Sequence, residues 1–202
     1  HTAMSNSNFL FQNGSISSDD TSAEYYAAFN GNNAFTIDFY FSTLQSGPNR
    51  AMFSVGGSQV DRQSFTIYMH NGTIKISAGG ATNSVDFSDS FSNLNDGKIY
   101  HLRCKYNGTT VSTVTPTNEV GLKIIEAGQN INAASYIEKS FLPNDTVLNI
   151  ISTVGTDRLI YFGRHANKSS SIYNFIGKLH YNLSIGHNLD YAIDGGYEAA
   201  TN

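Results

Sequence analysis

The chain has 202 residues, a length that fits one medium-sized domain with a single hydrophobic core. Charged residues make up only 14% of it and the formal net charge is -4, so electrostatics give no reason to expect nucleic acid or an anionic membrane as a partner. No apolar run approaches the roughly 18 residues that a membrane-spanning helix needs, so we also expect no membrane insertion.

The first four residues, His1 to Met4, read like the remnant of an expression tag. We therefore expect one domain over residues 5–186, followed by a C-terminal tail over 187–202. The first clear strand pattern is AFTIDFYFS at 34–42, in which apolar and polar residues alternate. The alternation predicts a strand that buries Phe35, Ile37, Phe39 and Phe41 and turns Thr36, Asp38 and Tyr40 outward.

The run SFTIYMHNGTIKISAG at 64–79 predicts a β-hairpin. Its Asn71-Gly72 pair suits a two-residue turn with positive φ at both central positions. The first arm then buries Phe65, Ile67 and Met69 and presents Thr66, Tyr68 and His70.

The run NLNDGKIYHLRCKYNG at 93–108 predicts a turn followed by a half-buried strand. The apolar face carries Cys104, the single cysteine, so we expect a buried, unreactive thiol and no internal disulfide. The expected inward residues are Tyr100, Leu102, Cys104 and Tyr106, and the expected exposed residues are Ile99, His101, Arg103 and Lys105.

Later segments extend the same pattern. The run at 174–186 places Leu179, Tyr181, Leu183 and Ile185 opposite Lys178, His180, Asn182 and Ser184. More apolar runs at 50–57, 146–152 and 158–164 predict central strands. The span 122–140 fits either strands or helical turns. Short alternating runs divided by Gly, Asn, Asp and Ser clusters predict an all-β, two-sheet antiparallel β-sandwich.

These motifs, in this order, resemble the laminin-G-like, concanavalin A-like jelly-roll. The resemblance rests on FTIDFYF, a strand leading into SVGG, the SFTIYMHNGTIKI hairpin, DGKIYHL, LIYFGR and NFIGKLHYNLSI, and it covers roughly 34–186. The tail HNLDYAIDGGYEAATN resembles segments that follow such domains in bacteriophage tail and host-adhesion proteins, although its composition also fits any solvated chain end.

The resemblance implies that a glucan hydrolase would carry closely spaced carboxylates on one strand, because glycoside cleavage needs an acid and a base or nucleophile. Glu119, Glu126 and Asp38 each stand without a second carboxylate at same-face spacing. The histidines lack the short spacing of a zinc site. We therefore expect no enzyme activity.

Relatives of this fold often bind calcium through carboxylates, Asn side chains and loop carbonyls. The resemblance thus makes calcium a candidate cofactor. Its candidate ligands are Asp61 in GGSQVDR and Asp86 and Asp89 in SVDFSDS.

Sugars are recognised through hydrogen bonds to their hydroxyls and through stacking on aromatic rings. The predicted outward faces supply such groups. The candidate glycan-binding residues are Asp38, Tyr40, Tyr68, His70, His101, Arg103, His180, Asn182 and, on a flanking loop, Arg164. The absence of Trp favours short or terminal glycans over crystalline polysaccharide.

The leading hypothesis is a noncatalytic carbohydrate-binding module that serves adhesion, at an extracellular location or on a virion surface. One alternative is a structural or protein-interaction module of the same fold, docked to neighbouring chains of a phage tail or another assembly. A glycan hydrolase or lyase is the third hypothesis.

Overall fold

A computed structural model describes residues 9–11, 16–19, 34–56, 64–78, 84–110, 117–141, 159–165 and 171–186. In these residues, twelve β-strands form two six-stranded sheets. The helical content of the same residues is two single-turn 3-10 helices. The predicted all-β antiparallel sandwich is therefore confirmed. The strand predicted over 146–152, the tag-like start and the tail over 187–202 lie outside the described residues.

Sheet A contains the first, the last and the longest strands. In chain order they are β1 (Phe9–Phe11), β3 (Phe35–Ser42), β8 (Tyr100–Thr110), β9 (Thr117–Glu126), β10 (Ile137–Ser140) and β12 (Gly177–Gly186). Across the sheet the order is β1-β12-β3-β8-β9-β10, with every neighbouring pair antiparallel. The span 122–140, which fits strands or helical turns by sequence, contains both. It begins in β9 and ends in β10, and the connection between them contains the 3-10 helix Ile131–Ala133.

Sheet B contains the predicted hairpin and two of the three predicted central strands. Its members are β2 (Ile16–Asp19), β4 (Arg50–Gly56), β5 (Ser64–His70), β6 (Thr73–Ala78), β7 (Ser84–Asp86) and β11 (Leu159–Phe162). Their order is β2-β11-β4-β5-β6-β7, again antiparallel throughout. Both β4 and β11 have a neighbour on each side, as their apolar sequences predict. The second 3-10 helix, Ser171–Tyr173, precedes β12.

The hairpin between β5 and β6 turns where the sequence predicts it. His70 pairs with Thr73, so Asn71 and Gly72 alone form the loop, with φ angles of 52° and 80°. Left-handed backbone at both positions matches the right-handed twist of the two strands. The turn therefore fixes the register of the whole hairpin, including the pair Tyr68 and Lys75.

The core lies between the inner faces of the two sheets. Phe35 of β3 meets Phe65 of β5 edge to face, with ring centroids 5.0 Å apart, and Tyr106 of β8 packs against both rings. Burying each large apolar side chain contributes about 1.5–3 kcal/mol. The predicted inward residues are buried in this core: Phe35, Ile37, Phe39, Phe41, Phe65, Ile67, Met69, Leu102, Cys104, Tyr106 and Leu179, with Tyr100 partly buried against it. The side chains of Tyr181, Leu183 and Ile185 lie outside the described part.

Candidate ligand-binding site

The outward face of sheet A gathers five of the predicted binding residues but does not expose them. Strands β3, β8 and β12 are adjacent, so their polar sides meet on one surface. The prediction of a solvent-exposed face is wrong here, because each side chain is at most 9% accessible. The five residues are Asp38, Tyr40, His101, Arg103 and His180.

A buried charge network explains how this face tolerates its polar groups. Asp38 accepts from two cross-strand neighbours, with Arg103 Nε 2.5 Å from Oδ2 and His101 Nε2 2.5 Å from Oδ1. The 3-10 helix Ile131–Ala133 packs over the same surface, where Asn132 Oδ1 accepts from Arg103 Nη1 at 2.7 Å. Lys123 Nζ donates to the Ile131 carbonyl at 3.4 Å. Buried charges need such partners, so these groups serve internal contacts.

The remaining two residues of this face also have internal partners. The ring of Tyr40 stacks on that of His101, with centroids 4.0 Å apart and an interplanar angle of 19°. His180 Nε2 lies 3.0 Å from Ser42 Oγ. Burial, with a smaller contribution from the positive charge of Lys178, lowers the pKa of His180. The folded state therefore favours the neutral imidazole of His180 over the protonated one.

The outward face of sheet B differs because it contains an open pocket. A row of hydroxyl side chains crosses strands β4 to β7 in register and forms the floor of this face: Ser54, Thr66, Ser77 and Ser84. Ser54 Oγ and Thr66 Oγ1 are 3.1 Å apart. We call the cavity beside Ser77 and Ser84, at one end of this row, the sheet B pocket. It measures about 170 Å³, and its lining residues are Asn49, Tyr68, Lys75, Ser77, Ser84, His165 and Tyr173.

Distant parts of the chain form the walls of the sheet B pocket. Tyr68 stands between Ala51 and Lys75 in the ladder, and His165 stacks on its ring at 5.5 Å between centroids. Tyr173 reaches the pocket from the second 3-10 helix. The segment that carries it is held beside β4 by a bridge between Ala51 and Asn174. The pocket thus combines aromatic rings with hydrogen-bonding groups.

Three of the predicted residues lie at or near this pocket. Tyr68 lines it, but the residue is only 8% exposed, so its predicted exposure is also wrong. Ser77 donates to the Tyr68 hydroxyl at 3.4 Å. Burial raises the pKa of Tyr68, so the phenol stays protonated and can donate a hydrogen bond. His70 Nδ1 lies 3.0 Å from Oδ1 of the lining residue Asn49. Arg164 lies over the ring of Tyr161, the register partner of Ser54, at 5.2 Å.

The sequence analysis missed several lining residues. Lys75 could have been found, because a two-residue turn at Asn71-Gly72 places it opposite Tyr68. Ser77 follows from the same ladder, opposite Thr66, whereas Ser84 lies on β7, a strand that the sequence analysis did not predict. Asn49 and Tyr173 come from segments without a periodic pattern, and no sequence signal marks them.

The predicted metal ligands do not converge on a site in the described residues. The ammonium of Lys139 lies 2.8 and 2.9 Å from the two carboxylate oxygens of Asp89 and also contacts the Asp86 carbonyl. Asp86 Oδ1 accepts from the backbone of Ser88. In the part of the chain that is described, no three His, Cys, Asp or Glu side chains form a metal-binding group. Asp61 lies outside that part, and calcium stays a prediction.

Asn182 lies in β12, but its side chain is outside the described part.

Among the described residues, no helix is long and apolar enough to cross a membrane.

Comparison with known proteins identifies the fold. No protein-family model matches the chain, and no curated protein matches it in sequence. Solved structures do match. The LG1-3 region of the laminin α2 chain aligns with a TM-score of 0.57 and 15% identity, over 88% of this chain and 30% of that one. A leech intramolecular trans-sialidase complexed with 2,7-anhydro-Neu5Ac aligns with a TM-score of 0.57 and 18% identity, over 88% and 25%.

A separate match is to an isolated module. CBM40 of the Ruminococcus gnavus IT-sialidase, bound to α2,3-sialyllactose, aligns with a TM-score of 0.52 and 13% identity. The alignment covers 79% of this chain and 78% of that module, whereas the chain spans under a third of the laminin region and of the leech enzyme. At these identities the likeness is one of fold. The chain has the laminin-G-like, concanavalin A-like jelly-roll fold that its motifs predict.

Proposed function

We propose that this chain is a noncatalytic carbohydrate-binding module and that the sheet B pocket is its ligand site. The observation that carries the proposal is the pocket lining. Aromatic rings of Tyr68 and Tyr173 stand beside hydroxyl, amide and imidazole groups over a sheet of this fold. Such a mixture suits sugars, which present apolar ring faces and many hydroxyls. The glycan-bound CBM40 module of similar fold adds support.

The noncatalytic part of the proposal rests on where the carboxylates lie. Most glycoside hydrolases use two carboxyl groups that flank the scissile bond. None of the described residues that line the pocket is acidic. Asp38 is paired with Arg103 and His101 on the other sheet. A hydrolase that uses such a carboxyl pair therefore has less support than a binding module.

The test is a glycan-array screen of the purified chain, followed by titration of each hit. We expect wild-type protein to bind a subset of short or terminal glycans. Tyr173→Ala should weaken that binding at least tenfold, because the half-buried ring lines the pocket. Tyr136→Ala is the matched control, since this half-buried tyrosine lies on sheet A between Lys105 and Lys123. Absence of any glycan signal, or equal loss in both variants, would overturn the proposal.

A specific surface feature supports a second candidate, a protein-interaction module. Three large apolar side chains are exposed on adjoining segments: Leu44, Ile172 and Ile176, at 79%, 59% and 36%. The segments are joined by hydrogen bonds, from Thr43 Oγ1 to the Ile176 carbonyl and from the Ile176 amide to Gln45 Oε1. This candidate predicts a defined oligomer by light scattering that Leu44→Ser dissociates, together with no glycan signal.

The proposed location follows from the proposed function. A glycan-binding module used for adhesion would act outside the cell or on a virion surface. Fusion of the chain to a fluorescent protein and staining of intact cells would test access to surface glycans. Staining that an excess of the array-selected glycan abolishes is the expected result.

A further inference from the structure

The charges around the sheet B pocket are unbalanced. Lys75, half-buried on β6, places a cation at the pocket, and no described lining residue carries a carboxylate. The other lining groups are neutral polar or aromatic side chains and the imidazole of His165. A cation in a partly enclosed cavity is less screened by water than one on an open surface. The pocket therefore favours a ligand with negative charge.

Lys75 differs in this respect from three other lysines of the described residues. Lys98, Lys105 and Lys139 each form an ion pair with a carboxylate, at 2.9, 2.6 and 2.8 Å. Lys75 forms none with any described residue. Its register partner on β7 is Asp86, yet Asp86 is exposed and its carboxylate accepts from the backbone amide of Ser88 at 2.8 Å. No carboxylate of the described residues thus lies within ion-pair distance of Lys75.

We propose that the sheet B pocket binds an acidic sugar and that Lys75 pairs with its carboxylate or sulfate group. The inference rests on the proposed glycan-binding function of the same pocket. Lys75 supplies a charge-assisted hydrogen bond, which is stronger than a neutral one. Ser77, Ser84 and Asn49 lie within the same cavity to bind sugar hydroxyls, and Tyr173 offers an apolar surface.

The size of the pocket narrows the ligand further. At about 170 Å³ it is smaller than the roughly 300–1,000 Å³ of most small-molecule sites. One sugar unit fits such a volume, and the rest of an oligosaccharide would extend into solvent. The acidic sugar would therefore be a terminal unit.

Calorimetric titration of the full chain with three probes tests the inference: lactose, α2,3-sialyllactose and 6′-sulfolactose. The two acidic probes separate a carboxylate from a sulfate, and lactose reports neutral binding. We expect at least one acidic probe to bind tenfold or more tightly than lactose, and we expect added salt to weaken it. Lys75→Gln should remove that preference, whereas Lys75→Arg should keep most of it. Lys178→Gln on sheet A is the matched control and should leave the preference for acidic probes unchanged.

The outcomes separate this inference from the function on which it rests. Equal binding of lactose and both acidic probes would overturn the acidic ligand and leave glycan binding intact. Full acidic preference in Lys75→Gln would overturn the role of Lys75. If the array and all three probes show no binding, the glycan-binding function and this inference both fall. Melting curves of each variant establish that a lost signal reflects the side chain and not unfolding.

Discussion

Asp38 and Arg103 face each other in register across strands β3 and β8, and their side chains form an ion pair although each residue is only about 5% exposed. His101 completes the arrangement from the same strand as Arg103. A surface ion pair adds little to stability, whereas removing one partner of a buried pair leaves an uncompensated charge. This network should therefore control the stability of sheet A and of the 3-10 helix above it.

Asp38→Asn removes the negative charge at nearly constant volume. We expect the free energy of unfolding to fall by about 3–5 kcal/mol, because Arg103 would stay charged inside the fold. Urea denaturation measures the change. Asp89→Asn is the matched control, since its ion pair with Lys139 is exposed, and it should have little effect. A loss for Asp38→Asn as small as that of the control would contradict the structural role of the network.

Protonation of His180 should destabilise the fold. Its pKa in the folded state is lowered from 6.5, chiefly by burial. The unfolded chain therefore binds the proton more readily, so the contribution of neutral His180 is complete above pH 6.5 and is lost as pH falls through the folded-state pKa. Unfolding experiments between about pH 5 and pH 7.5 should show a free energy of unfolding that decreases as the pH is lowered.

Two variants test the assignment to His180. His180→Gln should flatten this part of the pH profile, because the titrating group is gone. Lys178→Gln should flatten it slightly, since Lys178 is the second cause of the lowered pKa. An unchanged profile in His180→Gln would assign the pH dependence to another group.

Gly72→Ala should destabilise the β5–β6 hairpin. The backbone φ of Gly72 is 80°, and an added Cβ would lie 2.4 Å from Asn95 Oδ1. Strain and clash together should cost about 2–3 kcal/mol. Gly128→Ala is the matched control, because its φ is 92° but nothing lies within 4 Å of the added atom. It should cost about 1 kcal/mol. Equal losses in the two variants would show that Asn95 moves aside.

The Cys104 thiol should be unreactive in the folded protein. Cys104 is fully buried in the core, and burial strongly raises the pKa of its thiol. Because the thiolate is the reactive form, a disulfide reagent such as DTNB should give no colour with native protein. In denaturant the single cysteine should react completely. Rapid reaction of the native protein would mean that β8 opens locally.

Much of the fold is predictable from short-range sequence features. Alternation in Phe35–Ser42, Ser64–His70 and Tyr100–Tyr106 predicts both the strands and their core faces, because successive side chains of a strand point to opposite sides. Asn71 and Gly72 fix a register, since few residues adopt positive φ without strain. These relations hold between residues close in sequence.

Local sequence patterns do not predict whether an outward face is exposed to solvent. Asp38, His101 and Arg103 face away from the core as predicted, but they are buried, and Asn132 on a 3-10 helix contacts them. The sheet B pocket similarly depends on His165 and Tyr173, which meet Tyr68 and Lys75 from about 90 to 105 residues further along the chain.

The sequence by itself thus determined the two-sheet fold and the inward sides of β3, β5 and β8, because alternation and turn chemistry act locally. Only the tertiary structure decided which outward side became a buried charge network and which became a pocket. That choice depends on which distant segment packs over each sheet, and no local pattern encodes such a contact.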